Sequence, residues 1–257
     1  MKKYNTIFFF LLLIVFNSCG QTNEKKFDIK KVTVDPNFDY SQVKDSTKNR
    51  ELAIVCILNK EYDKAITLLE NELAVNPKNV SAIHLIGYCF NEIAPKKSLI
   101  YFEKATKMLP NETAHHYNYG LAYYRLEKHQ KAIEEYSKVI EISPTDSLVF
   151  YNRALAYEGI KDFKSAIKDY DTDLTINGET ARTYNNRGRC YMVMNEYEQA
   201  LNDYNKALEI EPTKANTFSN IGILYLRLKQ FDKACPYLYK ATELGYDETE
   251  LINRFCK

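Results

Sequence analysis

The chain has 257 residues, 35 Lys plus Arg against 34 Asp plus Glu, and a formal net charge of +1. That balance lacks the basic surplus that nucleic acid or an anionic lipid surface calls for. Aromatic residues make up 13%, 21 Tyr and 13 Phe with no Trp, so the placing of Tyr is what has to be explained.

The chain opens with Lys2 and Lys3, then an unbroken apolar run over 7–16, then Asn17-Ser18-Cys19-Gly20. A run of that length is too short to cross a bilayer as a helix, which takes roughly 20 residues. The layout is that of a cleaved secretory signal. A small residue followed by Cys directly after the run resembles a bacterial lipobox, with Phe16 and Asn17 where Leu and a small residue are more usual. The resemblance implies removal of residues 1–18 and a mature N-terminus at Cys19 carrying lipid (palmitate and its relatives) on its sulfur and its amine. Several acyl chains anchor stably where one is marginal. The alternative is a Cys that merely follows a signal peptide or an uncleaved anchor. For lipoproteins of this kind the outer membrane, facing the periplasm, is the commoner address. Removing Lys2 and Lys3 takes the 35 basic residues to 33 against 34 acidic, so the mature chain is close to neutral. Residues 19–45 are polar, charged and weakly patterned, which predicts a flexible tether. Val32, Val34 and Phe38 offer the first repeat a weak apolar contact.

From Ser46 to Asp247 the chain repeats itself every 34 residues. A small column reads Ala53, Gly87, Gly120, Ala154, Gly188, Gly222, and a second reads Ala65, Ser98, Ala132, Ala166, Ala200, Ala234. A bulky column reads Cys56, Phe90, Tyr123, Tyr157, Tyr191, Tyr225, and another Leu69, Phe102, Tyr136, Tyr170, Tyr204, Leu238. Turns follow at Pro77, Pro110, Pro144, Gly178 and Pro212, and one residue is missing near Pro95 in the second copy. Apolar residues recur at three and four within each copy, the period of a helix. Each copy is therefore two antiparallel helices with a short polar turn, such as Glu127 to Gln130. Small residues let the helices approach and large ones fill the space beside them. One pair cannot bury its own apolar face, so copies must stack.

The copies fall at 46–78, 79–112, 113–146, 147–180, 181–214 and 215–246, the first with helices near 47–59 and 62–75. Asn49 fits poorly as an inward residue of the first helix. Pro95 suits the first turn of its helix. After the sixth copy, Asp247 has the character of an N-cap, and 248–255 predicts a short helix with Leu251, Ile252 and Phe255 on one side. Residues 247–257 would then cover the open face of the last repeat.

Period and motif order resemble the tetratricopeptide repeat (TPR) family over about residues 46–247. Its usual Trp is replaced by Ile83, His116, Phe150, Tyr184 and Phe218. The resemblance implies an all-α, right-handed superhelical solenoid of about six helix-turn-helix repeats with a C-terminal capping helix. It also implies a ligand groove lined by the first helices at the second, fifth, sixth, ninth and twelfth positions of each repeat. The sixth column gives Asn118, Asn152, Asn186 and Asn220. In the family such Asn side chains can bind the main chain of an extended peptide, an amide being both donor and acceptor. They can equally be consensus residues that order helix contacts. The other columns add Tyr88, Tyr117, Tyr124 and Tyr151 with Leu121 and Leu155, an aromatic strip suited to an interface. Arg182 and Arg189 make the fifth repeat basic. The Lys and Asn positions of the two-carboxylate clamp of chaperone-binding TPR domains are not matched in the first two repeats.

Envelope members of the family often end with the arrangement seen here in Ala234-Cys235, Ala241 to Gly245 and Cys256. The resemblance implies a Cys235–Cys256 disulfide in an oxidising compartment, with two buried free thiols as the alternative. Cys56, Cys89 and Cys190 stand on or next to the bulky column and are expected as core thiols, a Cys56–Cys89 bridge being the other possibility.

Catalysis and metal binding find little footing. His116 and His129 occupy aromatic columns and read as packing residues, while His84 and His115 lack acidic or thiol partners at ligand spacing. There is no Gly-rich phosphate loop and no nucleophile-elbow Ser. Glu134-Glu135 and Asp169, Asp171, Asp173 read as solvated helix faces. We expect no catalytic residues, metal or cofactor. Three functions remain in order: a membrane-anchored scaffold holding a protein or peptide in its groove and supporting an envelope complex, a self-associating structural protein, and, remotely, an enzyme or substrate-carrying subunit. The architecture looks like that of the pilotins of type IV pili, the TPR lipoprotein of outer-membrane protein assembly, and the TPR adaptors of cell-wall hydrolases, without choosing among them.

Overall fold

The computed structural model describes residues 46 to 256. The expectations for 1–18, Cys19 and the tether lie outside the described residues. Those described form thirteen helices: α1 (Ser46–Leu58), α2 (Tyr62–Val75), α3 (Val80–Ile93), α4 (Pro95–Met108), α5 (Thr113–Arg125), α6 (His129–Ile142), α7 (Ser147–Gly159), α8 (Phe163–Asn177), α9 (Ala181–Val193), α10 (Tyr197–Ile210), α11 (Ala215–Arg227), α12 (Phe231–Glu243) and α13 (Thr249–Phe255). No strand occurs among them. The chain divides into two compact units after Pro144. The N-terminal unit holds the hairpins α1–α2, α3–α4 and α5–α6. The C-terminal unit holds α7–α8, α9–α10 and α11–α12, with α13 packed on α12.

The hairpin turns share one geometry. Lys60, Glu127, Lys161, Asn195 and Lys229 all have φ near +60°. The next residue's N–H then reaches back to a first-helix carbonyl: Glu61 to Cys56 at 2.8 Å, Lys128 to Tyr123, Asp162 to Tyr157 and Gln230 to Tyr225 at 2.9 Å, and Glu196 to Tyr191 at 2.8 Å. This is a left-handed helix ending of the kind that usually uses Gly; here the chain accepts a side chain at each. The second hairpin has no such residue. With one residue fewer, Ala94 alone separates α3 from α4, and Pro95 opens α4 without an N–H to lose.

Small and large columns meet inside each hairpin. A Cβ at Gly120 would stand 2.7 Å from Tyr136 Cε1, one at Gly188 2.8 Å from Tyr204 Cε1, one at Gly87 2.9 Å from Phe102 Cε1, and one at Gly222 2.5 Å from Leu238 Cδ2. The rings Phe102, Tyr136, Tyr170 and Tyr204 are at most 1% exposed. Phe102 packs with Tyr119 and Ala122 in the N-terminal unit, where Ala53, Cys56, Leu68, Leu69 and Ile86 form a second cluster. In the C-terminal unit Tyr170 packs with Ala154, Ala166 and Cys190, and Tyr204 with Ala200, Ile221 and Leu224. Fully burying one large apolar side chain contributes about 1.5–3 kcal/mol.

Several polar residues depart from the sequence expectation. Asn49 is 1% exposed inside an intact α1 and its amide finds no partner among the described residues. Asp169, Asp173 and Glu135 are buried rather than solvated. Asp169 receives both prongs of Arg153, Nε at 2.7 Å and Nη2 at 2.8 Å. One repeat later Asp203 receives Arg187 in the same way, both contacts at 2.7 Å. Asp173 accepts from Thr183 and Asn177, each at 2.6 Å. The physical reason is shared: at these helix positions the carboxylate faces the neighbouring helix, and a buried charge persists only when it is paired. At the C-terminus α13 starts one residue later than the sequence suggests. Glu248 precedes it as N-cap, and Asp247 Oδ1 accepts from Thr249 N at 3.1 Å.

Candidate functional site

The first helices carry the residues singled out by the repeat register, and the two units present them differently. In the N-terminal unit Asn118 is buried and its Nδ2 donates to Ala114 O at 2.9 Å, with His84 Nε2 at 3.3 Å. His84 and His115 lie with ring centroids 4.7 Å apart. Burial, then the neighbouring imidazole, pulls the pKa of His84 down to about 3. His115 is drawn to about 4 by burial and by His116. Both rings are therefore neutral near pH 7. Tyr88, Tyr117 and Tyr124 are half-buried. The Tyr117 ring lies 6.0 Å from Tyr136, and Tyr124 lies 5.4 Å from His129. Burial pushes the Tyr88 hydroxyl well up. At the end of this strip Arg125 pairs with Glu92 at 2.7 Å. From His84 to Tyr124 the strip is aromatic, polar and uncharged.

The C-terminal unit is charged. Tyr151, Arg182 and Asn186 come together: Asn186 Nδ2 donates to the Tyr151 hydroxyl at 2.8 Å, and the Arg182 guanidinium lies 3.9 Å above the Tyr151 ring. Such a stack fixes a long side chain while leaving its N–H fork outward. Arg189 is not a free charge, since its Nη2 meets Glu158 Oε2 at 2.5 Å. Glu158 also accepts from the Tyr170 hydroxyl at 2.5 Å. The basic surplus of the fifth repeat therefore rests on Arg182. Asn152 Nδ2 donates to Leu148 O at 2.9 Å, and Asn220 Nδ2 donates to Asn185 Oδ1 at 3.0 Å. All four ladder asparagines thus direct an Nδ2 to a partner inside the protein. A main-chain N–H arriving from a ligand would have to be met by their carbonyl oxygens.

Three features were not visible as sites. The Arg153–Asp169 and Arg187–Asp203 forks brace the hairpins α7–α8 and α9–α10; the signal was an Arg followed 16 residues on by Asp in two successive repeats. His116 does more than pack. Its Nδ1 meets Glu135 Oε2 at 2.7 Å and its Nε2 donates to Pro110 O at 2.9 Å. Burial pushes the Glu135 carboxyl up, but hydrogen bonds from His116 and Lys138 outweigh it and hold it below its usual range. The pair lines a cleft of about 550 Å³ with Lys107, Tyr119, Lys138 and Glu141. Third, Glu248 is a buried acceptor for Ser219 of α11.

Cys235 and Cys256 are joined by a disulfide with Cα atoms 5.5 Å apart. Cys56, Cys89 and Cys190 are buried free thiols. Burial pushes Cys56 up to about 11 and Cys89 to about 12, and raises Cys190 further. Among the described residues no three His, Cys, Asp or Glu side chains are grouped to hold a metal ion, and no helix is long and apolar enough to cross a membrane.

Three family models match the chain: a tetratricopeptide repeat at 181–214, a TPR repeat at 120–160, and a further tetratricopeptide repeat at 203–235. No curated protein matches it. Among solved structures, a crystal structure of MamA protein is 22% identical and superposes with a TM-score of 0.60 over 66% of this chain and 94% of that one. MamA 41-end from Desulfovibrio magneticus RS-1 is 16% identical, with a TM-score of 0.62 over 66% and 96%. The APC/C hetero-tetramer Cut9-Hcn1 is 17% identical, with a TM-score of 0.65 over 83% of this chain and 43% of that chain. At these identities the likeness is one of fold: stacked helical hairpins.

Proposed function

Since the chain is a tetratricopeptide-repeat protein, we propose that it is a membrane-anchored scaffold that holds a segment of a partner protein against its first helices and so supports assembly of an envelope complex. The observation that carries this is the Arg182–Tyr151–Asn186 group. Tyr151 belongs to the core and Asn186 braces its hydroxyl, and the two hold the exposed Arg182 guanidinium, which hairpin packing does not use, on an aromatic platform. Tyr and Arg are the residues that most often dominate interfaces. An extended segment would lay its main chain along Asn152, Asn186 and Asn220, its N–H groups meeting carbonyl oxygens. An acceptor on the segment would meet Arg182. The uncharged strip of Tyr88, Tyr117, Asn118 and Tyr124 suits apolar side chains. A chain of similar fold solved within a hetero-tetramer supports a binding role. Anchoring rests on Cys19 and the apolar run before it.

The test is in-cell crosslinking followed by affinity purification and mass spectrometry. Wild type is run beside Asn118→Ala/Asn152→Ala/Asn186→Ala and beside Arg182→Ala. A partner lost in either variant supports the reading and names the complex. The same partner recovered from all three moves binding off this face. Recovery of only the protein itself favours self-association. In parallel, Cys19→Ala should leave the membrane fraction; full retention there would remove the lipid anchor.

A further inference from the structure

The C-terminal unit ends in a helix that its own packing scarcely holds. α13 has seven residues and none is buried. A helix of two turns has no stability of its own in water. Its far end is tied by the Cys235–Cys256 disulfide to α12. Beside that bond, Phe255 stacks on Phe231 at 5.6 Å and 6°, but Phe231 is itself 41% exposed. The Tyr239 hydroxyl reaches Cys256 O only at 3.4 Å. Its near end is held by Glu248, which is 7% exposed and accepts a hydrogen bond from Ser219 Oγ. Ser219 stands directly before Asn220 on α11. The cap therefore closes on the last position of the first-helix face, while a covalent bond fixes its other end.

We propose that the Cys235–Cys256 disulfide is a redox latch: a dithiol reductant opens it, α13 leaves α12, and Ser219, 2% exposed under the closed cap, becomes available to the partner segment. That availability matters only if the first helices are the ligand face, so this part rests on the function proposed above. The chemistry is thiol–disulfide exchange. A thiolate of the reductant attacks Cys256 Sγ, forming a mixed disulfide and breaking the Cys235–Cys256 bond, and Cys235 leaves as a thiolate that takes up a proton. The reductant's second thiol then attacks the mixed disulfide, closes the reductant's own disulfide and releases Cys256 as a thiol. The two electrons and two protons gained by the cysteines come from the dithiol. Both cysteines are half-buried, so a small thiol can reach them. Cys56, Cys89 and Cys190 are buried with raised thiol pKa values and do not compete as attacking groups.

Hydrogen exchange read by mass spectrometry tests this on the full-length protein in detergent, oxidised and after dithiothreitol. Residues 250–256 should exchange roughly tenfold faster after reduction, with a smaller increase over 217–223 of α11. Cys235→Ser/Cys256→Ser should show the same rates without reductant, and Glu248→Gln, kept oxidised, should retain slow exchange over 250–256. Equal exchange before and after reduction would overturn the latch. So would release of 250–256 in oxidised Glu248→Gln, because the carboxylate and not the sulfur would then hold the cap. No partner enters this measurement, so its failure is separate from a failure of the crosslinking experiment.

Discussion

Replacing Gly120 tests the register on which the whole stack depends. A Cβ at this position of α5 would stand 2.7 Å from Tyr136 Cε1, 2.8 Å from Cδ1 and 3.1 Å from Cζ. Carbon atoms rest at about 3.5–4.0 Å, so the ring must retreat by roughly 1 Å for the first added carbon alone. Tyr136 is 1% exposed and the Tyr117 ring lies 6.0 Å from it, so there is no solvent to retreat into. Two effects oppose each other. Removing Gly from a helix interior gains about 1 kcal/mol of propensity, and overpacking a filled core costs about 1–3 kcal/mol. Gly120→Ala should therefore fall between neutral and about 2 kcal/mol destabilised. Gly120→Leu adds three further carbons to a place without room for one, and we expect at least about 3 kcal/mol. At roughly 2–4 °C per kcal/mol for a chain of this size, its Tm drops by about 6–12 °C. The assay is thermal unfolding by circular dichroism of both variants, each also made with Tyr136→Val. Without the ring, the cost of Gly120→Ala should shrink by about 1 kcal/mol or more, the coupling expected of touching residues. A Gly120→Leu protein that melts with wild type, or an equal cost in both backgrounds, would refute the argument.

Arg187→Met should cost about 3–5 kcal/mol, because Asp203, 1% exposed, is left charged and unpaired; Arg187→Lys, which loses the two-point fork, should fall between, and unchanged urea midpoints would make the fork dispensable. Lys161→Gly should raise Tm by a few degrees, since a left-handed non-Gly residue costs about 1–2 kcal/mol and Lys161 sits at φ 62°; Lys161→Ala should not. Acid should destabilise the protein from near neutrality. His84 and His115 are held at about 3 and about 4 against an ordinary 6.5, so between those values the unfolded chain binds more protons than the folded one. Their contribution is complete above pH 6.5 and is lost as pH falls toward 4. His84→Gln/His115→Gln should flatten the dependence of Tm on pH over that window, and an equally steep slope would place its origin elsewhere. Cys56 and Cys89, with thiols raised to about 11 and about 12, should resist maleimide labelling at pH 8 until the protein is unfolded; rapid native labelling would show the N-terminal unit open.

What the sequence disclosed is what the period repeats. The glycines and alanines of the small columns and the rings opposite them recur at fixed spacing because every hairpin solves the same packing problem, and their partners follow from the helix period alone. Residues with one-off partners were opaque. Asp169 and Asp173 looked solvated because their helix is rich in charge, and the local pattern does not say which charge turns inward. His116 filled an aromatic column, yet its Nδ1 found Glu135 19 residues away. The five positive-φ turn residues were equally hidden. A Lys at that position looks like an ordinary polar turn, and only the backbone reveals that a conformation favouring Gly has been imposed on it.

The same distinction bears on function. A column kept alike in every repeat is explained by packing, and the ladder asparagines fit that account, since each already turns its Nδ2 toward a partner within the protein. Recognition of a particular partner needs groups that differ from repeat to repeat, because a ligand segment is itself not periodic. The first helices do differ: His84 and Tyr88 in one, Tyr117 and Tyr124 in the next, then Tyr151 with Glu158, then Arg182 with Arg189. Of these, Arg189 and Glu158 satisfy each other, which leaves Arg182 as the residue whose charge the hairpins do not use. Removing Asn152 should therefore weaken partner binding and loosen α7 together, whereas removing Arg182 should weaken binding with Tm unchanged within about 0.5 kcal/mol of stability. A loss of both from Arg182→Ala would mean that this face is built for packing and that the partner binds elsewhere.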